Sequence, residues 1–159
     1  VGHFDHAMQR LTASGMRPTL DTLVVEKKVP VLGVCVCMQM LGDSSDEGSE
    51  PGLGWIPGRV RSFASIDAAK QLPLPHMGWN DVRPLNASGL FAGLETESRF
   101  YFLHSFFFEC AGPADGLATA TYGLDFSCAV RAGNVAGVQF HPEKSHQFGT
   151  TLLKNFSLS

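Results

Sequence analysis

Apolar residues recur at Phe4, Ala7, Met8 and Leu11, a spacing of three and four that predicts an amphipathic helix over HFDHAMQRLTAS. Gly15 and Pro18 punctuate its end, and PTLDTLVVEKK predicts a second helix. The period then changes. VPVLGV is a short β-branched run without a polar position, which predicts a buried strand. VCMQMLGD follows at once and predicts a helix ending near Gly42, so strand, sharp turn and helix fall within a dozen residues. Residues 43–54 are polar and rich in glycine and serine, a loop. GRVRSFASI reads as a strand, and KQLPLPHMGWNDVRPL as an irregular stretch with a short strand over residues 79–82. RFYFLHSFFFEC is strongly β-prone, and LATATYG, FSCAVRAG and VAGVQF follow as further strands. SHQFGTTLLKNFS predicts a closing helix with Phe148, Leu152, Leu153 and Phe156 on its apolar side. The pattern is that of an α/β protein in one domain over residues 1–159, with no repeat, low-complexity segment or internal linker.

Composition narrows the function classes. A chain of 159 residues, 44% hydrophobic and 17% charged, is long enough for one real core and lacks the composition of disorder. Its net charge of -3, without a Lys/Arg block, argues against a nucleic-acid partner. No apolar run reaches the roughly 18 residues of a membrane span, and no signal peptide is visible. Cys35, Cys37, Cys110 and Cys128 lack the spacing of a disulfide framework, which makes a reducing cytoplasm the default setting. The chain opens VGHFDHAMQRL, without an initiator Met or a lead-in strand, and reads as a chain whose beginning was lost.

The chemistry turns on PVLGVCVCMQML. Zinc needs about four ligands, and no second Cys/His cluster answers this Cys-x-Cys. Redox pairs favour Cys-x-x-Cys, and a bridge between positions i and i+2 is strained. Two buried, apolar-like thiols are the serious rival. Against that rival stands the location between a buried strand and a helix, the place of a nucleophile elbow. A helix start lowers a thiol's pKa, and the next backbone N–H can donate to an oxyanion. Elsewhere, GVQFHPEKS ends a strand with His141 and Glu143, a general base and a carboxylate to orient its ring. A lone histidine or a loop glutamate is commonplace. The set of elbow Cys35, His141 and Glu143 is not.

At these residues the sequence resembles the class I glutamine amidotransferases, which carry a Cys-His-Glu triad. Within them it is most similar to the glutaminase subunits of imidazole glycerol phosphate synthase. PVLGVCVCMQML matches the elbow, PHMGWN a stretch distinctive of the subunit, FYFLHSF the substrate-side strand, and GVQFHPEKSH with LLKNF the closing segment. The resemblance covers nearly the whole chain. It implies a three-layer, flavodoxin-like fold lacking its first strand-helix-strand segment. It also implies glutamine as substrate, Cys35 as nucleophile, His141 as base and Glu143 as its orienter. Val36 and Val1 would supply the oxyanion N–H donors, and Gly2, Gln39, His104, Ser105 and Phe106 would line the glutamine pocket. Ammonia would pass to a (β/α)8-barrel cyclase in a heterodimer of histidine biosynthesis, with Met77 and Trp79 at the interface. Read alone, Met77 and Trp79 are ordinary core packing. Neither a metal nor an organic cofactor is implied.

Four departures from the family pattern carry expectations. Cys37 replaces a glycine of the elbow, and a side chain packed between strand and helix would cost about 1–3 kcal/mol. Phe106 stands in place of a tyrosine. Ala136 stands where an aromatic is common and predicts a cavity. Loss of the first strand-helix-strand segment predicts exposed strand edges, low stability and a mobile Val1. Two alternatives therefore stay open: a paralogue feeding ammonia to sugar amidation for surface polysaccharides, and a non-catalytic remnant.

Overall fold

A computed structural model describes residues 2–86, 89–94 and 97–158 of the chain. Helix α1, Phe4–Ala13, turns Phe4 and Met8 inward. Full burial of such side chains contributes about 1.5–3 kcal/mol each. Helix α2, Arg17–Asp21, carries Pro18 in its first turn, where the missing N–H has no partner to lose. It runs on into a π-helical turn over Thr22–Glu26, so the second predicted helix is one segment with a widened end. Strand β1, Val31–Val34, and helix α3, Val36–Met40, are separated by Cys35 alone.

The remaining strands are β2 (Ser44–Ser45), β3 (Gly58–Ser62), β4 (His76–Asp81), β5 (Arg83–Pro84) and β6 (Arg99–His104). They continue as β7 (Phe106–Cys110), β8 (Gly116–Thr121), β9 (Asp125–Ala132) and β10 (Val135–Val138), and helix α4 (His146–Ser157) closes the chain. The main sheet runs β1-β10-β9-β7-β3-β2, with β8 also on β9 and β5 on β8. Strands β1 and β10 are parallel, aligning Gly33 with Gly137 and Val34 with Val138. Neighbouring residues such as Phe107 and Phe108, or Ala129 and Val130, belong to two different apolar clusters, as period-two alternation requires. One cluster holds Phe4 and Met8 of α1 with Met38, Met40 and Leu41 around α3. The other holds Leu152 of α4 with Phe100 and Phe102 of β6. The sheet is thus the middle of three layers.

Three expectations change. RFYFLHSFFFEC is two strands, because the chain leaves one sheet at Ser105 and enters another. Strand β6 pairs with β4 in a separate two-stranded ribbon, whereas β7 joins the main sheet between β3 and β9. The strand expected over residues 79–82 begins earlier, at His76, and pairs from His76↔His104 to Asp81↔Arg99. Leu153 is 41% exposed and leaves the apolar side of α4 to Phe148, Leu152 and Phe156. Among the described residues no helix is long and apolar enough to cross a membrane.

Candidate active site

Cys35 joins β1 to α3 with φ 54° and ψ −117°, a conformation that costs a non-glycine residue about 1–3 kcal/mol. The turn is held from both sides. Cys35 N–H donates to the Val138 carbonyl at 2.9 Å, and its own carbonyl accepts from Met38 N–H at 3.0 Å. Crowding falls on Gly33: a Cβ there would lie 2.8 Å from the Cys37 carbonyl oxygen and 2.9 Å from the Met38 nitrogen. Backbone atoms cannot swing aside, so glycine is required at position 33. Cys37 itself is exposed. Its expected packing between strand and helix is therefore corrected: the tight approach falls on Gly33, and Cys37 keeps only enough cover for burial to raise its thiol pKa.

The Cys35 thiol is only 6% exposed. Burial pushes its pKa up, against the pull of the Val36 N–H beside it, and Cys37 and Glu143 push the same way as burial. The expectation of a thiol acidified by the helix start is reversed, and the protonated thiol is the resting form. Such a thiol needs a base. A cleft of about 480 Å³ is lined by Cys35, Val36, His141, Glu143, Gly2 and Leu153 among others. His141 Nδ1 lies 2.7 Å from Glu143 Oε1. A carboxylate only accepts, so Nδ1 carries the proton and Nε2 keeps its lone pair. That Nε2 is buried without a hydrogen-bond partner. The His141 backbone is clamped: its N–H donates to the Tyr101 carbonyl at 2.8 Å, and Ser145 Oγ donates to its carbonyl at 2.6 Å. Ser145, fully buried, also accepts from Tyr101 N–H at 3.0 Å. Its part in holding His141 has no sequence signal beyond an ordinary serine in a loop.

On the other side of Cys35 a pocket of about 70 Å³ is lined by Gly2, Val36, Gln39, Glu47, His104, Ser105 and Phe106. The structure brings together every expected pocket residue and adds Glu47. Glu47 accepts from Phe4 N–H at 2.8 Å, tying the start of α1 to the rim. It sits in a loop whose composition gave no cue. Val1 lies outside the described residues. Ala136 is buried, and the void beside it is only about 10 Å³, so the predicted cavity is near the smallest that could hold a water.

Strand β4 divides PHMGWN by side-chain direction. Met77 and Trp79 face outward, 65% and 40% exposed, so they are not core packing. The Trp79 ring stacks on His146 with a 1° interplanar angle. His76 and Asn80 face inward. Asn80 Nδ2 lies 3.2 Å from His76 Nε2, and His76 Nδ1 lies 2.9 Å from His104 Nε2. His104 Nδ1 in turn lies 2.7 Å from the Phe106 carbonyl. Burial drives the pKa of His76 down to about 4 and that of His104 down to about 3, so both rings are neutral. Among the described residues no group of three or more His, Cys, Asp or Glu side chains is arranged to hold a metal ion.

Comparison with known proteins gives a consistent result. The signature of the family "Glutamine amidotransferase class-I" matches residues 8–159. The chain is 68% identical over 157 residues to imidazole glycerol phosphate synthase subunit HisH of Bdellovibrio bacteriovorus, covering 99% of this chain and 77% of that protein. It is 50% identical to the subunit of the same name from Leptospira borgpetersenii, with the same coverage. A solved glutamine amidotransferase superimposes with a TM-score of 0.66 at 17% identity, over 92% of this chain and 71% of the other. At that identity the likeness speaks for the fold.

Proposed function

The chain belongs to the class-I glutamine amidotransferase family, and from that premise we propose that it is the glutaminase subunit of an imidazole glycerol phosphate synthase. It hydrolyses glutamine to glutamate and ammonia and works in the cytoplasm. The observation that carries the catalytic assignment is the buried, unpartnered His141 Nε2 in the cleft shared with Cys35.

His141 Nε2 takes the proton of the Cys35 thiol as Sγ attacks the side-chain amide carbon of glutamine. Glu143 holds the ring in the tautomer that leaves Nε2 free and stabilises the imidazolium as it forms. The tetrahedral oxyanion is met by Val36 N–H, the first amide of α3 after the nucleophile, in the lining of the same cleft. Collapse expels ammonia, protonated by His141, and leaves a glutamyl thioester. A water activated by the same nitrogen then hydrolyses the thioester to glutamate and frees the thiol. Gln39 spends both amide hydrogens inside the protein, so its Oε1 remains for the substrate. Glu47, an anion at the pocket rim, suits the substrate's ammonium group.

The ammonia passes to a (β/α)8-barrel cyclase in histidine biosynthesis. The outward Met77 and Trp79 on β4, whose partner strand β6 backs the nucleophile, suit a partner surface. The names of the relatives favour this partner over one acting in sugar amidation. The exposure of Cys37 favours the catalytic reading over a non-catalytic remnant at the elbow itself, one of the two features that motivated that alternative.

The test is glutamate release from glutamine, with and without a cyclase partner and its nucleotide ligand. Cys35→Ala should abolish release, a loss of at least roughly 10³-fold. A wild-type complex that releases no glutamate would overturn the assignment.

A further inference from the structure

One backbone oxygen organises a hydrogen-bond chain that ends on the Cys35 sulfur. The Phe106 carbonyl can only accept. Gln39 Nε2 donates to it at 3.3 Å and, with its second hydrogen, to Gln139 Oε1 at 3.0 Å. The Gln139 amide is thereby fixed with Oε1 toward Gln39 and Nε2 toward Cys35, and Nε2 donates to Sγ at 3.8 Å. The same carbonyl polarises a second arm. It accepts from His104 Nδ1–H, which makes His104 Nε2 an acceptor for His76 Nδ1–H and leaves His76 Nε2 to accept from Asn80. Asn80 spends its other hydrogen on the Thr121 carbonyl at 2.9 Å. No step in either arm is ambiguous, because each group's role follows from its neighbour's.

We propose that Gln139 is a further catalytic residue, supplying through Nε2 an N–H aimed at Sγ that stabilises the thiolate as the proton leaves. Its orientation is imposed by Gln39 and the Phe106 carbonyl, and the second arm ties that carbonyl to His76 and Asn80 on the inner face of β4. This rests on the reading of Cys35 as nucleophile. Gln139 is fully buried and its backbone N–H is held by the Cys128 carbonyl at 2.8 Å, so the amide is anchored at both ends. A fixed donor counts for more in so dry a site than in water. The titratable groups facing Cys35 are His141 and Glu143 in the cleft, His104 and Glu47 in the pocket, and Cys37 on α3.

The experiment is the pH profile of Cys35 alkylation by iodoacetamide without glutamine, with fragment-ion mass spectrometry separating Cys35 from Cys37. Gln139→Leu removes the donor, and Gln139→Glu replaces it with an acceptor of the same shape. Loss of one hydrogen bond to a charged group should move the midpoint up by about one pH unit and slow alkylation at pH 8 about tenfold. Gln139→Glu should show the larger shift. Glutaminase kcat should fall with KM little changed, because the bond strengthens only as charge develops. Profiles that superimpose on wild type overturn the proposal. If neither variant folds, the wild-type Gln139 side-chain amide resonance decides. A shift that tracks the Cys35 alkylation midpoint supports the bond, and a flat resonance overturns it. A midpoint shift in a protein without glutaminase activity would sink the functional reading alone.

Discussion

His141 and His104 are the same side chain in opposite states of satisfaction. His104 uses both ring nitrogens, toward the Phe106 carbonyl at 2.7 Å and His76 at 2.9 Å, and its ring packs against Phe63. His141 uses one nitrogen, on Glu143, and leaves the other buried and unpartnered. An unpaired buried polar atom costs about 1–3 kcal/mol, which a histidine kept for packing has no reason to bear. The difference teaches where the chemistry is. The closed ring holds a wall of the pocket, and the open ring is the one the proposed mechanism uses to take a proton.

The sharpest way to break this contrast is to remove each ring in turn. His141→Asn should lower glutamate release by roughly 10³–10⁴-fold while leaving the denaturation midpoint near wild type, since it deletes a base and relieves an orphaned atom. His104→Leu should do the reverse in kind. It strands the His76 Nδ1 proton and half of the Phe106 carbonyl's bonding, with an expected loss of about 1–3 kcal/mol in chemical denaturation. If His104→Leu were the more damaging to kcat at unchanged stability, the division between the two rings would be wrong.

Next in size is the orienter. Glu143 is 55% exposed, so water screens its pull on His141 and can partly replace it. Glu143→Gln should therefore cost roughly 10–100-fold in kcat, less than loss of the base itself. A loss equal to that of His141→Asn would mean that Glu143 does more than hold the ring.

The pH dependence of stability sharpens the same comparison. His76 and His104 have folded pKa values of about 4 and about 3, below the ordinary 6.5. Between those values and 6.5 the unfolded chain binds protons that the folded one refuses. The stability linked to the pair is fully present above pH 6.5 and is lost as pH falls toward 4. The slope is at most about 1.4 kcal/mol per pH unit for each histidine. Denaturant titrations between pH 7 and 4 should show this slope, and His104→Leu should reduce it. A flat profile in the wild type would contradict a neutral pair.

Much of this was legible in the chain. The apolar periodicity placed α1, β1, α3 and α4 because each buries a face against the sheet, and a face leaves a period. The elbow and the His-Pro-Glu segment were legible as a candidate site because a thiol at a strand-to-helix turn, a strand-end histidine and a nearby carboxylate are a rare combination. What stayed hidden was non-local. Nothing in RFYFLHSFFFEC marks Ser105 as the residue where the chain changes sheets, since both halves have the same β-prone composition. Glu47 reaches the pocket from a loop, and Gln139 reaches Sγ only because β10 runs parallel beside β1. A helix start is visible in sequence and the depth of burial is not, so the sequence points to a lowered thiol pKa where burial raises it.

The smallest expected effect falls on the residue that looked most damaging. Cys37 occupies a position where the resemblance leads one to expect glycine, yet its side chain is exposed and the close approach at the elbow is made by Gly33. Cys37→Gly should therefore restore nothing. It removes a side chain from the first turn of α3 and gives the unfolded chain more freedom, a loss of at most about 0.5–1 kcal/mol. With Cys35, Val36 and the Gly33 crossing untouched, kcat should stay within about twofold of wild type, because no contact that develops in the transition state has changed. Gly33→Ala is the matched control. Its Cβ would meet backbone atoms at 2.8–2.9 Å, so α3 must shift and carry the Val36 N–H with it. If Cys37→Gly raised activity tenfold and Gly33→Ala left it unchanged, the crowded position of the elbow would have been assigned to the wrong side of Cys35.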